Sequence, residues 1–131
     1  MLKKTIIVCM LALTVGCQES LEERTLREVK EYTQRRCPEP QGNNSILDSL
    51  TFDVKTHTLT HYYRLTGASD NEENAKLMKD RLNDEMIEAT RKDMTYKRYK
   101  DAGYTFRYIA RSDSSGKVIY DQTITKDDYG Y

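Results

Sequence analysis

Tryptophan is missing from this 131-residue chain, proline occurs only twice, and neither sign of charge is in excess, with 21 basic against 21 acidic residues. A chain without a basic surplus has little with which to neutralise a phosphate backbone, so nucleic acid is not expected as a partner. The charges are interspersed and form no acidic tail, which reads as an ordinary solvated surface. The six glycines stand singly, leaving no glycine-rich loop to cradle a phosphate. There are only two histidines, His57 and His61. They are four residues apart, a spacing that converges two rings on one metal when it falls on a helix, not on a strand and turn. Neither an HExxH motif nor an EF-hand loop occurs, so no metal and no cofactor are expected. The apolar run Thr5 to Val15 has eleven residues, well short of the ~20 that a membrane-spanning helix needs.

What that run does have is the layout of an export signal. Lys3 and Lys4 precede it, and Gly16 and Cys17 follow it. Leu13-Thr14-Val15-Gly16-Cys17 resembles the lipobox of bacterial lipoproteins. The resemblance implies that residues 1–16 are a signal peptide, that Cys17 carries a thioether-linked diacylglycerol, and that the new N-terminus is acylated. One acyl chain holds a protein only marginally, whereas two or more anchor it stably. The implied location is the cell envelope, as a membrane-anchored lipoprotein facing the periplasm or the cell surface. A mature chain of residues 17–131 suits a single small domain. Removal of Lys3 and Lys4 leaves it slightly acidic. Apart from Cys17 it keeps only Cys37, so no disulfide framework is available. Beside Arg35, Arg36 and Pro38, that thiol reads as half-buried at a helix end.

The periodicity along the mature chain changes between 3.6 and 2. Ser20 and Glu23 form a capping box for a helix over 21–36, with Leu26, Val29, Thr33 and Cys37 on one stripe. Alternation then predicts two strands of a hairpin. Leu50, Phe52 and Val54 face inward on the first, and Leu59, His61, Tyr63 and Leu65 on the second. Ala75, Met78, Leu82, Met86 and Ala89 line one side of a long helix over 71–92. Tyr104, Phe106, Tyr108 and Ala110 mark a third strand, and Val118, Tyr120 and Ile124 a fourth, followed by a frayed tail from about 126 to 131. The expectation is an α+β domain of α-β-β-α-β-β order, a four-stranded antiparallel sheet with two helices on one face. The stretches CPEPQGNNSILDSL and DAGYTFRYIARSDSSGK resemble a pattern found in small exported bacterial proteins of unassigned function. That resemblance implies a compact domain and no particular activity.

Catalytic groupings are sparse. Nucleophilic catalysis needs an activated Ser or Cys beside a base. Only Cys37 with His61 offers such a pair, and His61 falls on the inward face. Three readings follow. The first is a non-enzymatic, lipid-anchored module that binds a protein partner in the envelope. The second is a small inhibitor or protective protein, and the third a thiol-dependent enzyme using Cys37. Ten tyrosines against two phenylalanines suit the first, since tyrosine and arginine are favoured at interfaces. The outward positions Tyr62, Arg64, Arg107, Ile109 and Arg111 form the expected interaction surface, provided that strands two and three are neighbours.

Overall fold

The computed structural model describes residues 18–130, so the expected signal peptide and Cys17, the expected lipidation position, lie outside the described residues. Helix α1 (Leu21–Arg36) starts where the capping box predicts it, with the Ser20 side chain accepting from the Glu23 N–H at 3.1 Å. Glu22 and Glu23 sit in its first turn and Arg35 and Arg36 in its last, each sign placed against the opposite end of the helix dipole. The buried stripe is not the one expected. Leu26 is 42% exposed, and fully buried Thr25 takes the inward place with Val29. A threonine is tolerated there because its hydroxyl donates to the Leu21 carbonyl at 2.7 Å and lies 3.3 Å from the Tyr104 hydroxyl.

The chain continues through β1 (Glu39–Pro40), β2 (Ser45–Asp53) and β3 (Thr58–Leu65). A crossover follows, made of α2 (Glu72–Leu77), α3 (Lys79–Lys92) and α4 (Lys97–Asp101). It ends in β4 (Thr105–Ser112), β5 (Val118–Ile124) and α5 (Lys126–Tyr129). The sheet has five strands in the order β1-β2-β3-β4-β5. This corrects the expected four-stranded antiparallel sheet twice. A two-residue edge strand β1 pairs with Ile46 and Leu47, and β3 runs parallel to β4, from Thr58 beside Thr105 to Leu65 beside Ser112. Alternation reveals which side chains share a face but not strand direction. Direction follows from the long helical crossover, which returns the chain to the end where β3 began.

The expected helix over 71–92 is broken at Met78, whose ψ of 1° departs from helical geometry and separates α2 from α3. Beyond it, Lys100 is 1% exposed and its ammonium donates to the carbonyls of Thr90 and Arg91, both at 2.9 Å. A buried cation thus satisfies carbonyls that the end of α3 leaves unpaired.

The core lies between the helices and one face of the sheet, and it is mainly aromatic. Phe52 and Tyr104 stack at 4.9 Å, Tyr99 and Tyr104 at 5.4 Å, and Tyr96 and Phe106 at 5.5 Å. The tail expected to fray is part of it. Thr125 and Asp128 form a capping box for α5, and Tyr129 is fully buried, its hydroxyl donating to the Tyr104 carbonyl at 2.8 Å. The Arg91 guanidinium bonds the Asp128 and Tyr129 carbonyls, which ties the tail to α3. We predict that Tyr129→Ala lowers unfolding free energy by about 3 kcal/mol, as a lost core aromatic does, and that Tyr129→Phe costs about 1 kcal/mol for one hydrogen bond. Urea denaturation checks both; an unchanged midpoint for Tyr129→Ala would mean that the tail is not part of the core.

Candidate interaction groove

The helix side of the sheet is not closed. Alternation on β3 sends His61, Tyr63 and Leu65 to that side, and on β4 it sends Tyr108 and Ala110, with His61 beside Tyr108 and Tyr63 beside Ala110 in the parallel ladder. α1 covers one flank and α2–α3 the other. Between them runs a depression of two lobes that share Tyr63 and Tyr108 on the sheet and Met86 on α3. The first, about 470 Å³, lies under α2–α3, with Leu65, Met78 and Leu82 in its walls. The second, about 510 Å³, lies between α1 and the start of α4, where Tyr32, Tyr96 and Tyr99 join Glu28, Gln41 and Asp93.

His61 is the polar group at the base of the second lobe. It is 3% exposed, its Nε2 is 2.8 Å from the Tyr96 hydroxyl, and its ring stacks on Tyr108 at 4.6 Å. Its Nδ1 makes no hydrogen bond. Burial lowers the imidazole pKa to about 4, and the nearby Arg107 carbonyl counters this only in part, so the ring is neutral at physiological pH. Burial also pushes the Tyr63 phenol up to about 12 and raises that of Tyr96. Both keep their protons. Glu28 sets the charge at the rim. Partial burial works against its ionisation, but a 2.8 Å hydrogen bond from Tyr99 and the guanidiniums of Arg24 and Arg98 hold its carboxyl below the usual range.

The five outward residues read from the sequence do come together on the opposite face. Tyr62 lies beside Ile109 and Arg64 beside Arg111 in the ladder. The charges there are already engaged. Arg64 pairs with Asp48 at 2.9 Å and Asp113 at 3.1 Å, Arg107 pairs with Asp121 at 2.7 Å, and Arg111 donates to the Gly116 carbonyl. Ile109 is only 7% exposed.

Cys37 and His61 are not brought together as a reacting pair, since the His61 ring bonds Tyr96. Burial and the carboxylates of Glu39 and Asp48 raise the Cys37 thiol pKa, the opposite of an activated nucleophile. His57 lies in the β2–β3 turn, 3.4 Å from Glu22, and no metal-binding cluster of three His, Cys, Asp or Glu occurs among the described residues. The groove itself was missed in the sequence. Its only signal was the inward stripe on 71–92, which reads the same whether or not the helix closes onto the sheet.

The chain belongs to the family described as a domain of unknown function (DUF8479), whose model matches residues 20–120. No curated protein matches it. Two solved structures share its fold. One is a Pseudomonas aeruginosa protein described as secreted, 11% identical, with a TM-score of 0.67 over 86% of this chain and 99% of the other. The second is a pilotin from the Vibrio vulnificus type 2 secretion system, 16% identical, with a TM-score of 0.59 over 84% of this chain and 96% of the pilotin.

The buried histidine makes stability depend on pH. A group that binds its proton less well folded than unfolded adds stability above its unfolded pKa, here ~6.5, and loses it as pH falls toward the folded value. Between pH 7 and pH 5 the loss attributable to His61 is about 2 kcal/mol. Thermal unfolding of wild type and His61→Phe across that interval checks it. The variant should show a flatter pH dependence, and parallel profiles would show that His61 does not titrate this way.

Proposed function

We propose that this DUF8479 protein is a lipid-anchored, non-enzymatic envelope protein that binds a protein partner through the tyrosine-lined lobe of its groove. The observation that carries this reading is the lobe itself. Tyrosines from α1, β3, β4 and the segment around α4 converge on one concavity, rimmed by Glu28, Gln41 and Asp93. Rigid aromatic rings with polar tips bury much area at little entropic cost, which is the composition of an interface centre. The outer sheet face offers less, because a partner would have to displace or desolvate ion pairs that are already made. The pilotin fold relationship and the lipobox-like segment support the envelope setting and the protein partner.

The anchor reading has a geometric corollary. Ser20 already caps α1, and the Glu19 carboxylate is folded onto Arg27 by two hydrogen bonds of 2.9 and 3.0 Å. With the lipid on Cys17, Gln18 alone separates the anchor from ordered chain, and the domain sits against the membrane surface.

Two experiments test this. Cys17→Ala should move the protein from the membrane pellet to the soluble envelope fraction; continued sedimentation with membranes would remove the anchor. A photo-reactive phenylalanine analogue at Gln41 or Thr95, at the mouth of the tyrosine-lined lobe, should give one discrete higher-mass adduct in cells, and the same analogue at Tyr62 or Thr123 should give none. The reverse pattern would move the partner to the outer sheet face.

A further inference from the structure

The lobe under α2–α3 differs in chemistry from its neighbour. The stripe Ala75, Met78, Leu82 and Met86 points at Leu65 and Ala110 on the sheet but does not close onto it. Met78 is 43% exposed, and Thr90 is the one buried residue of α3. Where two apolar surfaces face each other across a gap, they forfeit dispersion contacts and leave hydrocarbon in water, a cost that a guest would remove. The space, about 470 Å³, falls in the range of small-molecule sites.

We propose that this lobe holds a single fatty acyl chain, that of a free fatty acid or a monoacyl lipid, with its head group at the end formed by Ser45, Ser69 and Asn74. Three observations select a hydrocarbon chain. First, Leu65, Met78, Leu82, Met86 and Ala110 make the walls apolar, and away from the serine end the polar groups are the phenols of Tyr63, Tyr108 and Tyr120. The Tyr120 hydroxyl there is engaged by Asn83 and Gln122. A peptide threaded between helix and sheet would bury amide N–H and C=O groups without partners, at a cost of roughly 1–3 kcal/mol each, whereas an acyl chain has none to bury. Second, two wall residues are methionines, whose unbranched side chains adapt to a flexible guest. Third, the non-aromatic polar lining, Ser45, Ser69 and Asn74, is gathered at one end, beside the turn Gly67–Ser69 that follows β3. One polar end and one apolar end match an amphiphile in orientation. The neighbouring lobe, which adds the carboxylates of Glu28 and Asp93 and the His61 ring, has neither property.

The site is distinct from the partner-binding lobe, and the test separates them. The full-length chain carrying Cys17→Ala, and so unacylated, is titrated with a dansyl-labelled fatty acid, followed by displacement with palmitate. Saturable fluorescence enhancement and competitive displacement are expected. Ala75→Trp and Leu82→Trp in the same background fill the lobe and should weaken probe binding by about ten-fold or more, a change of roughly 1.4 kcal/mol, with the melting temperature retained. Met78→Trp, at the exposed lip, serves if either of these variants fails to fold. Tyr32→Ala, in the other lobe, should leave probe affinity unchanged. Absence of saturable binding, or binding that survives the filling variants, overturns the proposal. Loss of cross-linking at Gln41 with palmitate binding intact would count against the partner reading alone.

Discussion

Strands β3 and β4 run side by side in the same direction, and most of the architecture follows from that pairing. Parallel neighbours cannot be joined by a tight turn, so the chain between them must travel back along the length of the sheet. Residues 66–104 make that return as α2, α3 and α4, and they do so on the face that α1 also covers. The helices therefore crowd one side and leave the other to Thr60, Tyr62, Arg64, Arg107 and Asp121. Because α1 flanks β2 while α2 and α3 lie toward β5, the centre of the sheet, where β3 meets β4, is where a depression opens.

Polar groups hold this arrangement as much as apolar ones do. Thr33 both donates to and accepts from the backbone of Leu50, closing part of the β2 edge with a side chain from α1. Gln122 reaches from β5 to the Asn83 carbonyl, and Lys100 to the end of α3. Each places a hydrogen-bonding group in the interior only where a partner is fixed, which keeps the burial cost low and specifies one packing of helix on sheet. His61 is the exception, with one ring nitrogen bonded to Tyr96 and the other unmatched, and it lies under the groove.

The two faces of the sheet differ in what they can offer a partner. On the outer face, Arg64 and Arg107 are matched by Asp48, Asp113 and Asp121, so the surface is electrostatically satisfied. On the helix side, apolar and aromatic groups face a concavity. Concavity, more than charge, distinguishes them, and it arises because the stripe of alanine, leucine and methionine on α2–α3 is only partly buried against the sheet.

Much of the local structure was legible in the residues. The cap at Ser20, the inward sets on β3 and β4 and the turns around them all follow from short-range chemistry, and so does the α+β class. Strand direction was not legible, since Leu59, His61 and Tyr63 alternate identically in either pairing. Nor was the fate of the tail: Lys126, Asp127 and Asp128 look solvated until Tyr129 is seen to fill a hole beside Tyr104 and Phe106. Tyr62, Arg64, Arg107, Ile109 and Arg111 share one face of β3 and β4, because alternation and strand adjacency suffice for that. The groove required distances between elements far apart in the chain. Periodicity determines which side of a helix is apolar, but only the packed structure decides how closely that side approaches its neighbour, since the separation is set by side chains on both elements and by the path of the crossover.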